Sequence, residues 1–449
     1  MPPRTVFSCS TCGHESPKWH GRCPGCGEWN TLVEEQRAKR PAVAAAGRGR
    51  GRSTPVRLAD VEAPALARFL TGIGEFDRVL GGGLVPGSLV LIGGSPGIGK
   101  STLTASALGN LAGRQKVLYI TGEESPAQVK LRAERLGPAA LQVPILAETD
   151  LDAVIATIEA ECPDVCVIDS VQTLFAPDLS GAPGSVGQVR EVAGRLMRVA
   201  KERDVATILV GHVTKEGALA GPRVLEHLVD CVLQFEGEHE RTYRTLRALK
   251  NRFGSTNEVG VFEMRGDGLA EVADASARFV AEATRAPGSV VLAAMEGTRP
   301  LLVEVQVLVA PTELVPPRRV ANGVDRNRLA LILAVLARHG GMALGGSDVF
   351  VSVAGGVRVD EPGADLAIAL ALASAAKGIP LGIERPLAAF GEIGLTGELR
   401  PVAHHERRVS EAAKFGLAPV LAPGDGIGTL RQVLGRALAA GAEPAAQAA

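Results

Sequence analysis

Leu89-Val90-Leu91-Ile92-Gly93-Gly94-Ser95-Pro96-Gly97-Ile98-Gly99-Lys100-Ser101-Thr102 opens on four branched apolar residues, passes through glycines and runs on into an Ala- and Leu-rich stretch. A short apolar run bounded by glycines fits a strand buried on both faces, as in the middle of a parallel sheet. Gly94 to Ser101 fits G-x-x-x-x-G-K-[ST]. In that spacing backbone N–H groups face phosphates, Lys100 reaches the β and γ oxygens, and the Ser101 hydroxyl coordinates Mg²⁺. The expected ligands are ATP and Mg²⁺, held by Gly94, Ser95, Pro96, Gly97, Ile98, Gly99, Lys100, Ser101 and Thr102. A strand before the loop and a helix after it separate this match from chance.

Outward from the loop, residues 117–121, 165–169 and 207–210 read as further buried strands, with helical patterns at 100–112, 126–136 and 188–203. That alternation predicts an α/β fold with a mainly parallel sheet. Residues 165–169 form an apolar strand ending in Asp169, placed to support Mg²⁺ and its waters. Residues 119–124 end a neighbouring strand in two carboxylates. Glu123 is the candidate to polarise an attacking water, and Glu124 is the alternative, read otherwise as an acid at a helix start. His212 and Thr214 follow the 207–210 strand, where they could sense a γ-phosphate or serve only as structural residues. From about residue 276 the pattern changes to strands at 290–294 and 301–308 and helices at 326–339 and 364–377. A separate α+β domain is expected, closing in an Ala-rich frayed helix or tail beyond Gly435.

The N-terminal end carries different chemistry. Cys9, Cys12, Cys23 and Cys26 form two C-x-x-C turns, and four thiolates complete a closed tetrahedral Zn²⁺ site. Residues 1–33 are too few to own a hydrophobic core, so metal binding would supply their folding energy. Cys162, Cys166 and Cys231 lie in apolar surroundings and read as small core residues. Residues 34–57 have no apolar periodicity and read as a basic flexible linker with a reach of about 27 Å. Residues 1–57 hold ten Lys or Arg against four Glu, in a chain of net charge −1 overall. That local excess suits nucleic acid or a solvated tether equally. There is no signal-like apolar segment at the start, and no apolar run reaches the roughly 18 residues needed to cross a bilayer. A cytoplasmic protein without a membrane partner is expected.

In this order of parts the chain resembles the RadA (Sms) family of bacterial DNA repair proteins. The carrying residues are the four cysteines, residues 72–102, Thr121-Gly-Glu-Glu-Ser125 and the heptad Lys250-Asn-Arg-Phe-Gly-Ser-Thr256. The resemblance implies a RecA-like ATPase domain over 58–275. It implies that Lys250 and Arg252 act on ATP bound by the neighbouring subunit, and that the chain forms a homo-hexameric ring. It also implies movement on single-stranded DNA and branch migration of recombination intermediates together with the RecA recombinase. Read from the residues alone, the heptad is equally a surface turn or a direct DNA contact.

Residues 276–449 look like the Lon protease domain. Asp360-Glu-Pro-Gly363-Ala-Asp365 lies where those proteases carry their serine, which puts Gly363 at the nucleophile position. Glu406 falls where their lysine stands. A Ser–Lys dyad needs a hydroxyl and a neutral amine, and neither residue provides one. A scaffold inactive as a peptidase is expected, with Arg318, Arg319, Arg326 and Arg328 as candidate DNA contacts. Three functions compete at this stage: a DNA-dependent ATPase motor, an ATP-dependent protease or unfoldase, and a RecA-like nucleotide switch acting on proteins.

Overall fold

A computed structural model describes residues 4–9, 14–25, 27–37, 57, 67–179, 181–211, 224–237, 243–424 and 426–446. Cys12, Cys26, His212, Thr214 and the basic run 47–52 lie outside the described residues. The chain divides into two compact units. The first comprises residues 1–236, 246–256 and 264–271, and the second 237–245, 257–263 and 272–449.

In the first unit, strands β1 (Arg4–Cys9), β2 (Glu15–Ser16) and β3 (Leu32–Arg37) form a small antiparallel sheet in the order β2-β1-β3. Strand β3 runs to Arg37, past the 33/34 boundary expected for the ribbon. Helix α1 (Gly74–Leu80) then leads to a sheet built from β4 (Leu89–Gly94), β5 (Val117–Thr121), β6 (Ile145–Ala147), β7 (Val165–Asp169), β8 (Ala206–Val210) and β9 (Cys231–Glu236). These six pair in parallel in the order β9-β4-β8-β7-β5-β6. Strands β10 (Tyr243–Asn251), β11 (Val259–Arg265) and β12 (Gly268–Glu271) follow β9, with residues 243–245 of β10 and 259–263 of β11 counted in the second unit. Between the parallel strands run α2 (Lys100–Leu111), α3 (Pro126–Leu136), α4 (Leu151–Glu161), α5 (Val186–Arg203) and the short α6 (Val224–Leu228).

The β4, β5, β7 and β8 strands are buried along their whole length. This is the reason they read as unbroken apolar runs rather than alternating ones. Helix α3 starts on a capping box, in which the Ser125 side chain accepts from Gln128 N and the Gln128 side chain reaches back to the Ser125 amide. Strand β6 and helix α4 are absent from the series expected from sequence. The β6 run is three residues long and mostly exposed, so it carries no apolar signature. Among the other cysteines, Cys166 and Cys231 are core residues whose thiols burial pushes up to about 12. Cys162 is instead exposed at the left-handed C-cap of α4, which corrects its reading as a core residue.

The second unit holds α7 (Ala275–Val280) and a five-stranded sheet of β13 (Ser289–Glu296), β14 (Arg299–Pro311), β15 (Arg319–Asn322), β16 (Ser347–Val353) and β17 (Ala388–Ala389), in the order β15-β16-β14-β13-β17. Helices α8 (Arg326–His339) and α9 (Asp365–Lys377) fall where periodicity puts them. The hairpin β18 (Glu392–Ile393) and β19 (Leu399–Arg400), α10 (His405–Lys414) and α11 (Leu430–Ala446) complete it. Helix α9 is buried on every side from Asp365 to Ser374, so its Ala-rich sequence is that of a central core helix. Helix α11 seats Leu430, Val433, Leu434 and Ala437 in the core, so the start of the expected Ala-rich tail is a docked helix. Residues 237–245 and 257–263 cluster with this unit, where sequence suggests a single cut at 275/276. Tyr243 packs edge-on against Phe279 at 4.9 Å, and the Thr298 hydroxyl donates to Glu258 at 2.6 Å. Among the described residues no helix is long and apolar enough to cross a membrane.

Candidate functional site

In a parallel sheet every strand delivers its C-terminal end to the same edge, and the crevice there is where ligands bind. Here that edge carries the loop after β4, Asp169 at the end of β7 and the Glu123-Glu124 pair just beyond β5. Register makes the convergence close, because Thr121 lies opposite Asp169, and Asp169 opposite Val210.

The loop after β4 is exposed at Pro96 and Gly97, half-buried at Ser95, Ser101 and Thr102, and buried at Gly94, Ile98 and Lys100. Helix α2 begins at Gly99, which has φ 117° and provides no side-chain cap. The first amides of α2 therefore have no side chain of their own cap residue to satisfy them, the arrangement that favours an anion. A Cβ on Gly99 would lie 2.8 Å from Leu269 Cδ1, so both conformation and space demand glycine. Lys100 Nζ donates to the carbonyls of Gly94 at 2.8 Å and Ser95 at 3.0 Å. Burial pushes its pKa down, and the negative charges of Asp169 and Glu123 oppose that shift. Lys100 thus feels the charge of both carboxylates. The donor set fits a nucleotide triphosphate with Mg²⁺: uncapped amides, an ammonium, a serine hydroxyl and a carboxylate.

The carboxylates are held differently from each other. Ser170 Oγ donates a short hydrogen bond to Glu123 Oε1. Glu124 is paired with Arg132 of α3 through both guanidinium nitrogens, one at 3.2 Å. Glu124, the acid at the start of α3, is thus also an ion-pair partner. Asp169 accepts a 2.6 Å hydrogen bond from Tyr119 Oη, and Arg132 Nη2 in turn donates to that oxygen at 3.3 Å. Burial, followed by the charge of Asp169, holds the Tyr119 phenol well above its ordinary pKa, so it remains a donor. Tyr119, Arg132 and Ser170 escape sequence reading. The available signal was a tyrosine inside a buried strand, whose hydroxyl needs a partner.

The Lys250–Thr256 heptad ends β10 and turns away from it. Asn251 Nδ2 donates to Val79 O and Leu80 O, both at 3.2 Å, and so anchors the turn on the last carbonyls of α1. Gly254 passes against Gly81 so closely that a Cβ would lie 2.9 Å from Gly81 Cα. Lys250 Nζ donates to Glu226 O at 2.6 Å and Val229 O at 2.8 Å. Arg252 pairs with the buried Asp230 at 2.8 Å, and Asp230 also accepts from Leu89 N at 3.1 Å. These partners belong to the 226–230 segment, and the Lys100 site of the same chain is not among them. Arg252 and residues 254–256 are exposed.

In the ribbon, Cys9 and Cys23 are 0% and 2% exposed, and with Leu32 they make up the buried cluster among the described residues. Gly25 N donates to Cys23 Sγ at 3.3 Å. A module of this size whose described core is two cysteines and a leucine has little apolar burial to hold it, and buried cysteines of this kind fit a thiolate-bound Zn²⁺.

In the second unit, Gly363 and Glu406 sit in different surroundings. Gly363 is buried under the Arg408–Glu361 ion pair, at 2.7 and 2.5 Å, and a Cβ there would meet Arg408 Nη1 at 3.1 Å. Glu406 is exposed on α10. The four candidate DNA-contacting arginines divide. Arg318 pairs with Asp348, Arg319 donates to Ser347 O and Leu344 O, and Arg328 forms a fork with Asp365 at 2.6 Å twice. Only Arg326 of the four is exposed without such a commitment among the described contacts. Arg328 in particular neutralises the buried Asp365 carboxylate, which also accepts from Ile393 N at 3.1 Å.

Comparison with known proteins agrees with this division of parts. Residues 7–34 match a family described as a rubredoxin metal binding domain, and residues 53–218 match one described as an AAA domain. The DNA repair protein RadA of Bacillus subtilis (strain 168) is 50% identical over 426 residues, 94% of this chain and 92% of the relative. RadA of Streptococcus pyogenes serotype M6 is 51% identical over 422 residues, 94% of this chain and 92% of its own. RadA of Pseudomonas aeruginosa is 52% identical over 422 residues, 94% and 93%. Each of these matches covers 94% of the chain, and the chain belongs to the RadA family of DNA repair proteins.

Proposed function

We propose that this protein is a DNA-dependent ATPase motor of the helicase or translocase type. In this reading it works in recombinational repair as a homo-hexamer, driving branch migration of recombination intermediates on single-stranded DNA together with RecA. The observation that carries the catalytic half is the meeting of Lys100, Asp169 and Glu123 at one edge of the parallel sheet. Lys100 and the α2 amides would hold the triphosphate, while Ser101 and Asp169 would hold Mg²⁺, whose chemistry is to neutralise charge on the β and γ oxygens. Glu123 would take the proton of the attacking water. Lys250, half-buried at the end of β10, and Arg252, exposed on the turn after it, have no described contact with their own chain's phosphate loop, an arrangement that suits action on a neighbour's nucleotide. Cys9, Cys12, Cys23 and Cys26 would hold a structural Zn²⁺. The ion pair of buried Arg408 with half-buried Glu361 over Gly363 favours a C-terminal scaffold without peptidase chemistry.

ATP hydrolysis measured with and without single-stranded DNA, beside a casein degradation assay, tests the reading. The expected result is DNA-stimulated hydrolysis with intact casein. Hydrolysis indifferent to DNA would point to a nucleotide switch acting on proteins, and ATP-dependent casein loss to a protease.

Two further results are expected. Tyr119→Phe should keep ATP affinity but lower turnover about tenfold, with a higher Mg²⁺ requirement, because loss of a hydrogen bond to a charged group leaves Asp169 less fixed. A magnesium titration of steady-state rates checks this, and an unchanged profile would reduce Tyr119 to a packing residue. Cys23→Ser should release the zinc and leave the ATPase unit folded. Elemental analysis together with circular dichroism reads both, and a zinc-free wild type would refute the metal assignment.

A further inference from the structure

The chain has two tryptophans, and both lie on the ribbon with their rings in solvent: Trp19 is 54% exposed and Trp29 68%. Indole is the largest apolar side chain and is ordinarily mostly buried, so two such rings left open on a module this small mark a contact surface. They are neighbours. A Cβ on Gly21 would lie 3.6 Å from Trp29 Cζ3 and 3.7 Å from Trp19 Cη2, so both rings flank one glycine.

The frame beneath them is fixed by hydrogen bonds. Trp19 Nε1 donates to Leu32 O at 3.2 Å, Asn30 N to Gly21 O at 2.8 Å, and Arg22 bridges to Trp29 across the turn. The Arg22 guanidinium sits 6.0 Å from the Trp29 ring centre and is steadied by a 2.7 Å bond from Nε to Gly27 O. Lys18 and His20 are exposed beside it.

We infer that Trp19 and Trp29 form a base-stacking platform for single-stranded nucleic acid, with Lys18 and Arg22 placed for the phosphates. The inference rests on the DNA-motor reading and assigns the ribbon a contact in it. Aromatic faces paired with cations are what unpaired bases on a polyanionic backbone require. Duplex DNA keeps its base faces stacked inside and offers such rings nothing. The excess of basic residues over 1–57 favours an anionic strand over an apolar protein surface.

Because the chain's only tryptophans are here, indole emission of the full-length zinc-loaded protein reports this surface alone. A dye-labelled oligo(dT) of about 30 nucleotides, long enough for several bases to reach the platform, is titrated while indole emission and strand anisotropy are followed together. The expected result is quenching in step with anisotropy. Trp29→Ala should weaken binding about tenfold and Trp29→Phe much less, since a phenyl ring still stacks; zinc retained in both variants shows that the ribbon is intact. Anisotropy that rises with emission unchanged overturns the platform and leaves the DNA-motor reading standing. No rise in anisotropy at any concentration overturns that reading itself. Quenching by purified RecA but not by oligo(dT) assigns the surface to a protein partner and also overturns the platform.

Discussion

Glu123→Gln is expected to bind ATP like the wild type and to lose turnover by about 10²–10⁴, the usual contribution of a positioned base. Glutamine keeps the shape of the side chain and can still accept the Ser170 hydrogen bond, so only basicity is removed. The choice between the adjacent carboxylates is structural. Glu124 is engaged by Arg132, whereas Glu123 stands two residues beyond Thr121, the residue in register with Asp169. Lys100→Ala and Asp169→Asn should also abolish hydrolysis, the first by removing a charge from the phosphates and the second by weakening the hold on Mg²⁺ while still permitting nucleotide binding. Nucleotide binding and single-turnover hydrolysis, measured on the same preparations, separate these effects. Near-normal turnover by Glu123→Gln, with turnover lost in Glu124→Gln, would transfer the role to Glu124.

Lys250→Ala is expected to bind ATP normally and to lose DNA-stimulated hydrolysis by about 10³–10⁵, as P-loop enzymes do without a cation supplied in trans. An ammonium has three donors, and two of those on Lys250 go to the carbonyls of Glu226 and Val229. These bonds fix the side chain and leave a third N–H for a phosphate. Burial, then the nearby Arg252 charge, push its pKa down, and the charges of Asp230 and Glu226 oppose that shift. A purely structural role predicts a different outcome, because Lys250→Ala would then loosen the 224–230 segment in its own chain. Mixing decides between them. Combining Lys250→Ala with Lys100→Ala protein should restore part of the activity, since some mixed interfaces pair an intact Lys100 with an intact Lys250. Rings that exchange subunits without any rescue would leave the heptad as a local brace or DNA contact.

How much of this was legible without coordinates varies from element to element. The strands β4, β5, β7 and β8 stood out because strands buried on both faces must be apolar at every position. The P-loop stood out because phosphate binding through backbone amides requires glycines at fixed spacing. In the C-terminal unit, α8 and α9 were visible from their apolar runs. Strand β6 was not, since three largely exposed residues at a sheet edge leave no pattern. Nor was the assignment of residues 237–245 and 257–263 to the second unit, which depends on contacts such as Tyr243 with Phe279, far apart in sequence.

The amino-acid sequence by itself determined the α/β P-loop core, the paired cysteines and the family, because each rests on residue types at short, fixed spacings. Tertiary structure alone decided what each charged side chain is engaged in. Tyr119 was joined to Asp169, Arg132 to Glu124, Arg252 to Asp230 and Arg328 to Asp365, all pairings between separate elements. It also covered Gly363 with an ion pair and left both tryptophans in solvent. The physical reason is that periodicity records which face of an element is buried. The partner of a buried charge, and the openness of an aromatic ring, are fixed only when distant segments pack together.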